Sequence, residues 1–297
     1  MSAVTLSVVV ATTQPWPVIH DCVARLRPQV AAADIELIVA DGAPASRAGL
    51  PPQERLGVRW LSHPGASVFA LRAAGLAAAR GTIVAFTEDH CRPHSNWCVR
   101  VVAAHTAHPE ADAIGGAVVN GSTTRLIDCA NFNLTFAPLV PPISAPLTDR
   151  APAVANASYK RRVLPDAPTA AGWLEFTLNA RLLASERIVF DDSLIVEHLQ
   201  HHGFLNTFAA HFHNGRATTG LVASALDPAA RRARARQSVA QLPRLLRQTI
   251  GSLRAAGALT GWQRASIPLV AGLILCHGVG TIVGLAAGPG TSPARLH

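Results

Sequence analysis

The sequence has a single lysine, Lys160, and only 18 acidic side chains, none of them in its last 69 residues. The formal charge of +8 therefore has an address. Residues 1–228 hold 17 basic and 18 acidic side chains, and the remainder holds nine arginines and no acid. A chain whose main body carries no net positive charge offers no basic face for nucleic acid, and no nucleic-acid partner is expected. Cysteine is also sparse. Cys22, Cys91, Cys98, Cys129 and Cys276 are odd in number and contain no CxxC pair, which argues against a disulfide framework and against a thiolate zinc site. No glycine-rich phosphate loop follows the first apolar run, which disfavours a nucleotidyltransferase or other nucleotide-dependent α/β enzyme of that kind. The N-terminus lacks a basic region before Thr5-Leu6-Ser7-Val8, so no signal peptide is expected.

What the first half does have is short, wholly apolar runs alternating with helical patterns. Strands are expected at Leu6–Ala11, Ile35–Ala40, Val58–Leu61, Thr82–Phe86 and Ala113–Val119, with helices over 18–30, 67–80 and 96–107. Strands apolar on both faces and separated by helices indicate an α/β sheet covered on both sides. Ligands of such sheets gather at the carboxyl ends of the strands. The residues at those ends are Thr12, Asp41 and the pair Glu88-Asp89.

Residues 121–152 contain five prolines and read as an extended loop over the site. A helix is expected over 171–185 and a strand over 187–196, followed by the histidine-dense HLQHHGFLNTFAAHFH. In the region 229–264, seven arginines from Arg231 to Arg254 punctuate Val239, Leu242, Leu245, Leu246, Ile250 and Leu253, a basic amphipathic helix interrupted by Pro243. Residues 267–287 then run without formal charge, long enough to cross a bilayer. The organisation expected is a catalytic domain over 1–228, the basic helical region over 229–264, and a membrane segment over 265–289. Arginines before the apolar run put the catalytic domain on the cytoplasmic side.

Two carboxylates at a strand end beside a ligand crevice suit Mg²⁺ or Mn²⁺, which take one or two protein carboxylates and fill their other positions with water and phosphate oxygens. The same acids can also serve only as helix caps. Glu175 stands at a helix start beside Trp173, where desolvation would suit it to take a proton; a glutamate there can also simply complement the helix dipole. Among the histidines His198, His201, His202, His211 and His213 a zinc site is conceivable, but no cysteine joins them. Hydrogen-bonded histidines are the simpler reading for all but His198.

The segments SVVVATTQP, ELIVADGA, a helix with Arg72, GTIVAFTEDHCRPHSNW, AIGGAVVNG and VANASYKRRVL resemble, in order and spacing, the inverting nucleotide-sugar glycosyltransferases of family 2, of the membrane-associated bacterial type. The resemblance covers about residues 5–216, and TEDHCRP with Trp97 is its most specific part. It implies a GT-A fold, a Rossmann-like mixed sheet flanked by helices, followed here by the basic helix and the hydrophobic segment.

By that resemblance Thr12, Asp41, Arg72, Glu88 and Asn156 bind the donor nucleotide, Asp89, His90 and His198 hold a divalent Mg²⁺ or Mn²⁺, and Glu175 is the catalytic base. Arg161 and Arg162 fall near donor and acceptor. The acidic motif departs from the family's DxD as Glu-Asp-His, and the later acidic pair is a lone Glu175. The implied function is transfer of a single sugar from a nucleotide diphosphate sugar to a lipid-linked or membrane-proximal glycan acceptor, with inversion, in exopolysaccharide or envelope glycan synthesis. The place implied is the cytoplasmic face of the inner membrane. The alternative is a non-catalytic glycosyltransferase-like binding or scaffold protein in a glycan assembly complex.

Overall fold

The structure is a computed structural model that describes residues 4–31, 34–47, 55–122, 124–143, 150–165, 172, 175–200 and 202–296. It divides into two compact units. The first comprises the chain up to Val119 with Pro141–Leu199, the second Asn120–Val140 with Gln200–Leu296. The sequence boundary at residue 228 thus falls between two helices of the second unit.

The chain opens with β1 (Leu6–Thr12), α1 (Trp16–Leu26), β2 (Ile35–Asp41), β3 (Val58–Ser62) and α2 (Val68–Ala78). Then come β4 (Ile83–Glu88), β5 (Cys91–Pro93), α3 (Trp97–Ala107) and β6 (Ala113–Asn120). After α4 (Leu126–Phe136) the first unit is completed by β7 (Ala157–Lys160), α5 (Glu175–Ala184) and β8 (Ile188–His198). The last four helices are α6 (Phe204–Ala223), α7 (Pro228–Ala255), α8 (Gly261–Ala265) and α9 (Ile267–Ala287).

The eight strands form one sheet in the order β3-β2-β1-β4-β7-β6-β8-β5. The first four are parallel, and β7 runs antiparallel to both β4 and β6. This is the mixed GT-A sheet. Every residue of β1 is buried, as a central parallel strand requires. The core joins Val9, Ile38, Val84, Phe86 and Tyr159 of the sheet to Leu76, Leu178 and Leu182 of the helices. At Gly75 a Cβ would stand 2.4 Å from Val9 Cγ1, so glycine lets α2 lie directly on β1. Only Asp89 and His90 separate β4 from β5, yet three strands lie between them in the sheet order. The sheet must therefore curl, and β5 pairs Cys91 with His198 at the end of β8.

The second unit is helical. Its core packs Ile127 and Ala130 of α4 on Val270, Leu273 and Ile274 of α9, with Phe208, Leu242, Leu245 and Leu246 around them. Two sequence readings change here, and one unassigned segment gains its structure. The proline-rich stretch expected as a loop contains α4, whose buried Ile127, Ala130 and Phe132 give it an inward face. The histidine-dense segment runs from the end of β8 at His198 into α6, which begins at Phe204. The basic helix is continuous through Pro243, because packing of its apolar face outweighs the lost hydrogen bond of about 3 kcal/mol that an interior proline costs.

Candidate active site

Strand register assembles the site. Thr12 pairs with Asp41 across β1 and β2, and Ala11 pairs with Glu88 across β1 and β4. Three strand ends thus finish level, as the sequence reading required. The Asp89-His90 turn follows at once, and the curl of the sheet brings His198 to the same point.

A continuous hydrogen-bonded chain results. Thr12 Oγ1 donates to Asp89 Oδ2 at 2.7 Å, and Asp89 Oδ1 meets His90 Nδ1 at 2.7 Å. His90 Nε2 lies 2.9 Å from His198 Nε2, which is 3.2 Å from Glu88 Oε2. Arg72 then spans two carboxylates, with Nη2 3.3 Å from Glu88 Oε1 and Nη1 3.2 Å from Glu175 Oε1. The second oxygen of Glu175, Oε2, is buried with no hydrogen-bond partner among the described residues.

The electrostatics follow from burial and pairing. Burial opposes charge on Asp89, but the His90 and Thr12 hydrogen bonds outweigh it and hold its carboxyl below the usual range. Burial likewise opposes charge on Glu88, and the His198 hydrogen bond with the nearby His90 and Arg72 charges holds that carboxyl far down. On His90 desolvation is overcome by the Asp89 hydrogen bond, and its imidazole is raised above 6.5. His198, by contrast, is pushed down to about 4 by burial and by the His90 charge beside it. A neutral imidazole beside an ionised carboxylate is the form in which histidine binds metal.

Glu88, Cys91 and His198 place one potential ligand atom each within 4.8 Å of one another. The donor set fits a divalent cation through Glu88 and His198. The Cys91 thiol is buried and held well above its ordinary range by that burial and by Glu88, so it stays protonated and is a poor partner for a hard ion. Asp89 and His90, both expected as ligands, are instead bonded to each other. Cys91 was not expected; its only signal was its place in the TEDHCRP segment.

The other expected residues sort clearly. Asp41 is buried at the end of β2 and accepts from Ala43 N at 2.8 Å. Asn156 does not face a donor site. Its Nδ2 donates to Ala117 O and Leu194 O, both at 2.8 Å, and its Oδ1 accepts the Trp97 indole N–H at 2.9 Å. Both Nδ2 hydrogens and one Oδ1 lone pair are spent pinning β6, β8 and α3 together, a structural role in place of the donor-binding one expected. Arg161 caps the end of α2 through Leu76 O and Ala79 O, and Arg162 pairs with Asp112. His211 bonds Asn131 and His213 bonds Ser292. Trp173 and His201 lie outside the described residues.

Residues 7–151 match the family described as Glycosyl transferase family 2. They belong to that family. That part of the chain is accordingly a glycosyltransferase domain. No curated protein matches the chain. Among solved structures, glucosyl-3-phosphoglycerate synthase from Mycobacterium tuberculosis in complex with Mn²⁺, UDP and glucosyl-3-phosphoglycerate is 19% identical with a TM-score of 0.48, over 69% of this chain and 75% of that one. S. aureus TarS 1–349 is 13% identical with a TM-score of 0.47, over 95% of this chain and 90% of that one.

Proposed function

We propose that this family 2 glycosyltransferase moves a single sugar, with inversion, from a nucleotide diphosphate sugar to a lipid-linked or membrane-proximal glycan acceptor. The observation that carries the reading is Glu175. One of its oxygens is held by Arg72 and the other is buried without a partner among the described residues, the arrangement a base needs to accept the proton of an incoming hydroxyl. Direct displacement with one such base inverts the anomeric centre, because the acceptor oxygen attacks from the face opposite the departing diphosphate.

Glu88 and His198 would hold Mg²⁺ or Mn²⁺, whose chemistry is to neutralise the diphosphate. Thr12 and Asp41, at the ends of β1 and β2, would hold the nucleotide. Arg72 orients Glu175 and supplies positive charge beside the donor. The apolar α9 and the arginine-rich α7 support attachment to the cytoplasmic face of a membrane, where acceptors of exopolysaccharide or envelope glycan synthesis are found.

The test is a transfer assay with Glu175→Gln. Loss of transfer with donor binding intact supports the reading, and full transfer by the variant would sink it. One observation favours a second reading, a glycan-assembly protein that binds donor without turnover: both Asp89 oxygens are already taken, by Thr12 and His90. Donor binding without transfer by the unmodified chain, across a panel of glycan acceptors, would select it.

A further inference from the structure

α9 is apolar and long enough to cross a bilayer, but its surroundings in the second unit are not those of a crossing helix. A Cβ on Gly280 would stand 2.1 Å from Phe212 O, and one on Gly284 2.4 Å from Thr219 Oγ1. From the opposite side, a Cβ on Gly215 would stand 2.3 Å from His277 O. Gly280 and Gly284 therefore form a small-residue face, and its partner is α6. That 20-residue helix carries His211, His213, Asn214 and Arg216 along its length. Hydrocarbon could not receive α9 without receiving those polar groups too.

The other flanks of α9 are also occupied. Val270, Leu273 and Ile274 pack with α4, and Gly278 lies against Leu242 of α7. What stays open is one stripe, Leu275, Val279 and Ile282, exposed at 57, 53 and 38%. At about 100° per residue these three fall within an arc of about 60° adjoining Gly278, and so adjoining α7.

On α7 the apolar Leu242, Leu245, Leu246 and Leu253 turn inward. Arg232, Arg236, Arg247 and Arg254 share an outer arc of about 60°. All four are exposed, and none forms an ion pair among the described residues. The second unit cannot neutralise them internally. It has eleven arginines and two aspartates, of which Asp128 pairs with Arg125 and Asp227 caps α7. A row of free arginines selects phosphates, and the apolar stripe on the adjoining helix selects lipid over nucleic acid.

We infer that the second unit docks by one side on an anionic phospholipid surface, with the α7 arginines on headgroup phosphates and the Leu275-Val279-Ile282 stripe in the interface, while α9 stays within its own helical bundle instead of crossing. This rests on the membrane attachment proposed above and specifies its form.

The test is sedimentation of the full chain with vesicles of phosphatidylcholine, alone or mixed with phosphatidylglycerol, together with alkaline carbonate extraction of cell membranes. The expected result is binding only to the anionic vesicles, reversed by high salt and weakened about 10²–10³-fold by joint Arg→Gln substitution at the four positions. Leu275→Ser with Val279→Ser should also weaken it, and carbonate should release the protein. Nucleotide-sugar binding by both variants, unchanged from the parent, would show that they fold. Retention through carbonate and salt, with release only by detergent, would overturn one-sided docking and leave membrane attachment standing. Sedimentation with neither vesicle would overturn both. Tighter binding to duplex DNA than to anionic vesicles at the same salt would replace lipid with nucleic acid.

Discussion

Arg72 Nη1 lies 3.2 Å from Glu175 Oε1, across 103 residues of sequence, while Nη2 of the same guanidinium reaches Glu88. One buried side chain thereby ties the candidate base to the carboxylate at the end of β4. Arg72 was expected on a nucleotide phosphate. It sits instead between two acids, so its charge sets the position of Glu175.

Glu175→Gln keeps the shape and the Arg72 contact but removes the base. Transfer should fall about 10²–10⁴-fold, the usual worth of a positioned general base, with donor affinity changed little. Steady-state kinetics with parallel calorimetry separates the two, and a fall confined to donor affinity would reassign Glu175 to binding.

Arg72→Gln leaves Glu88 and Glu175 without their shared cation in a largely buried site. Removing one partner of such a pair strands the other charges, and the destabilisation should be about 3–5 kcal/mol, with Arg72→Lys recovering only part of it because ammonium lacks the two-pronged reach. Chemical denaturation of the three proteins checks this. Equal stability of all three would show that the bridge contributes nothing.

Asn156→Ala strips partners from Ala117 O, Leu194 O and the Trp97 indole at once. At about 1–3 kcal/mol for each buried group left unsatisfied, the loss should be at least about 3 kcal/mol of stability. Donor affinity of the folded protein should stay within about twofold, since Asn156 faces the sheet interior. A selective loss of donor binding at unchanged stability would return Asn156 to the site.

How far the sequence was legible follows from which physical signals are local. β1, β2 and β4 are apolar on both faces, so their existence and the polar residues at their ends could be read directly. β7 could not. Its four residues, Ala157–Lys160, carry Ser158 and Lys160, and they form a strand only because β4 and β6 lie on either side. The role of Asn156 was hidden for the same reason, since its three partners come from α3, β6 and β8. The pairing of Arg72 with Glu175 was hidden too, because 103 residues of sequence separate them. Glu88 and His198 were legible as site candidates because each ends a strand, whereas the Asp89-His90 hydrogen bond depends on the tight turn into β5.

His105 gives a pH dependence away from the active site. Its Nε2 bonds Ser158 Oγ at 2.9 Å, and burial, reinforced by the Lys160 charge, pushes its imidazole down from 6.5 to about 4. The unfolded chain then binds a proton that the folded chain refuses. The stability that His105 contributes in neutral form is complete above pH 6.5 and is lost as the pH falls toward 4, on the order of 3 kcal/mol in all. His105→Gln should therefore be less stable than the parent at pH 7, with the difference shrinking or reversing near pH 4. A difference constant over that range would contradict the assignment.

The measurement closest to the central claim is calorimetric titration of UDP-, GDP- and dTDP-sugars, with and without Mn²⁺, into the parent protein and His198→Ala. If Glu88 and His198 hold the cation that meets the diphosphate, one donor binds, Mn²⁺ strengthens that binding, and the substitution removes the strengthening. Donor binding indifferent to both Mn²⁺ and the substitution, or no donor binding at all, would contradict the account.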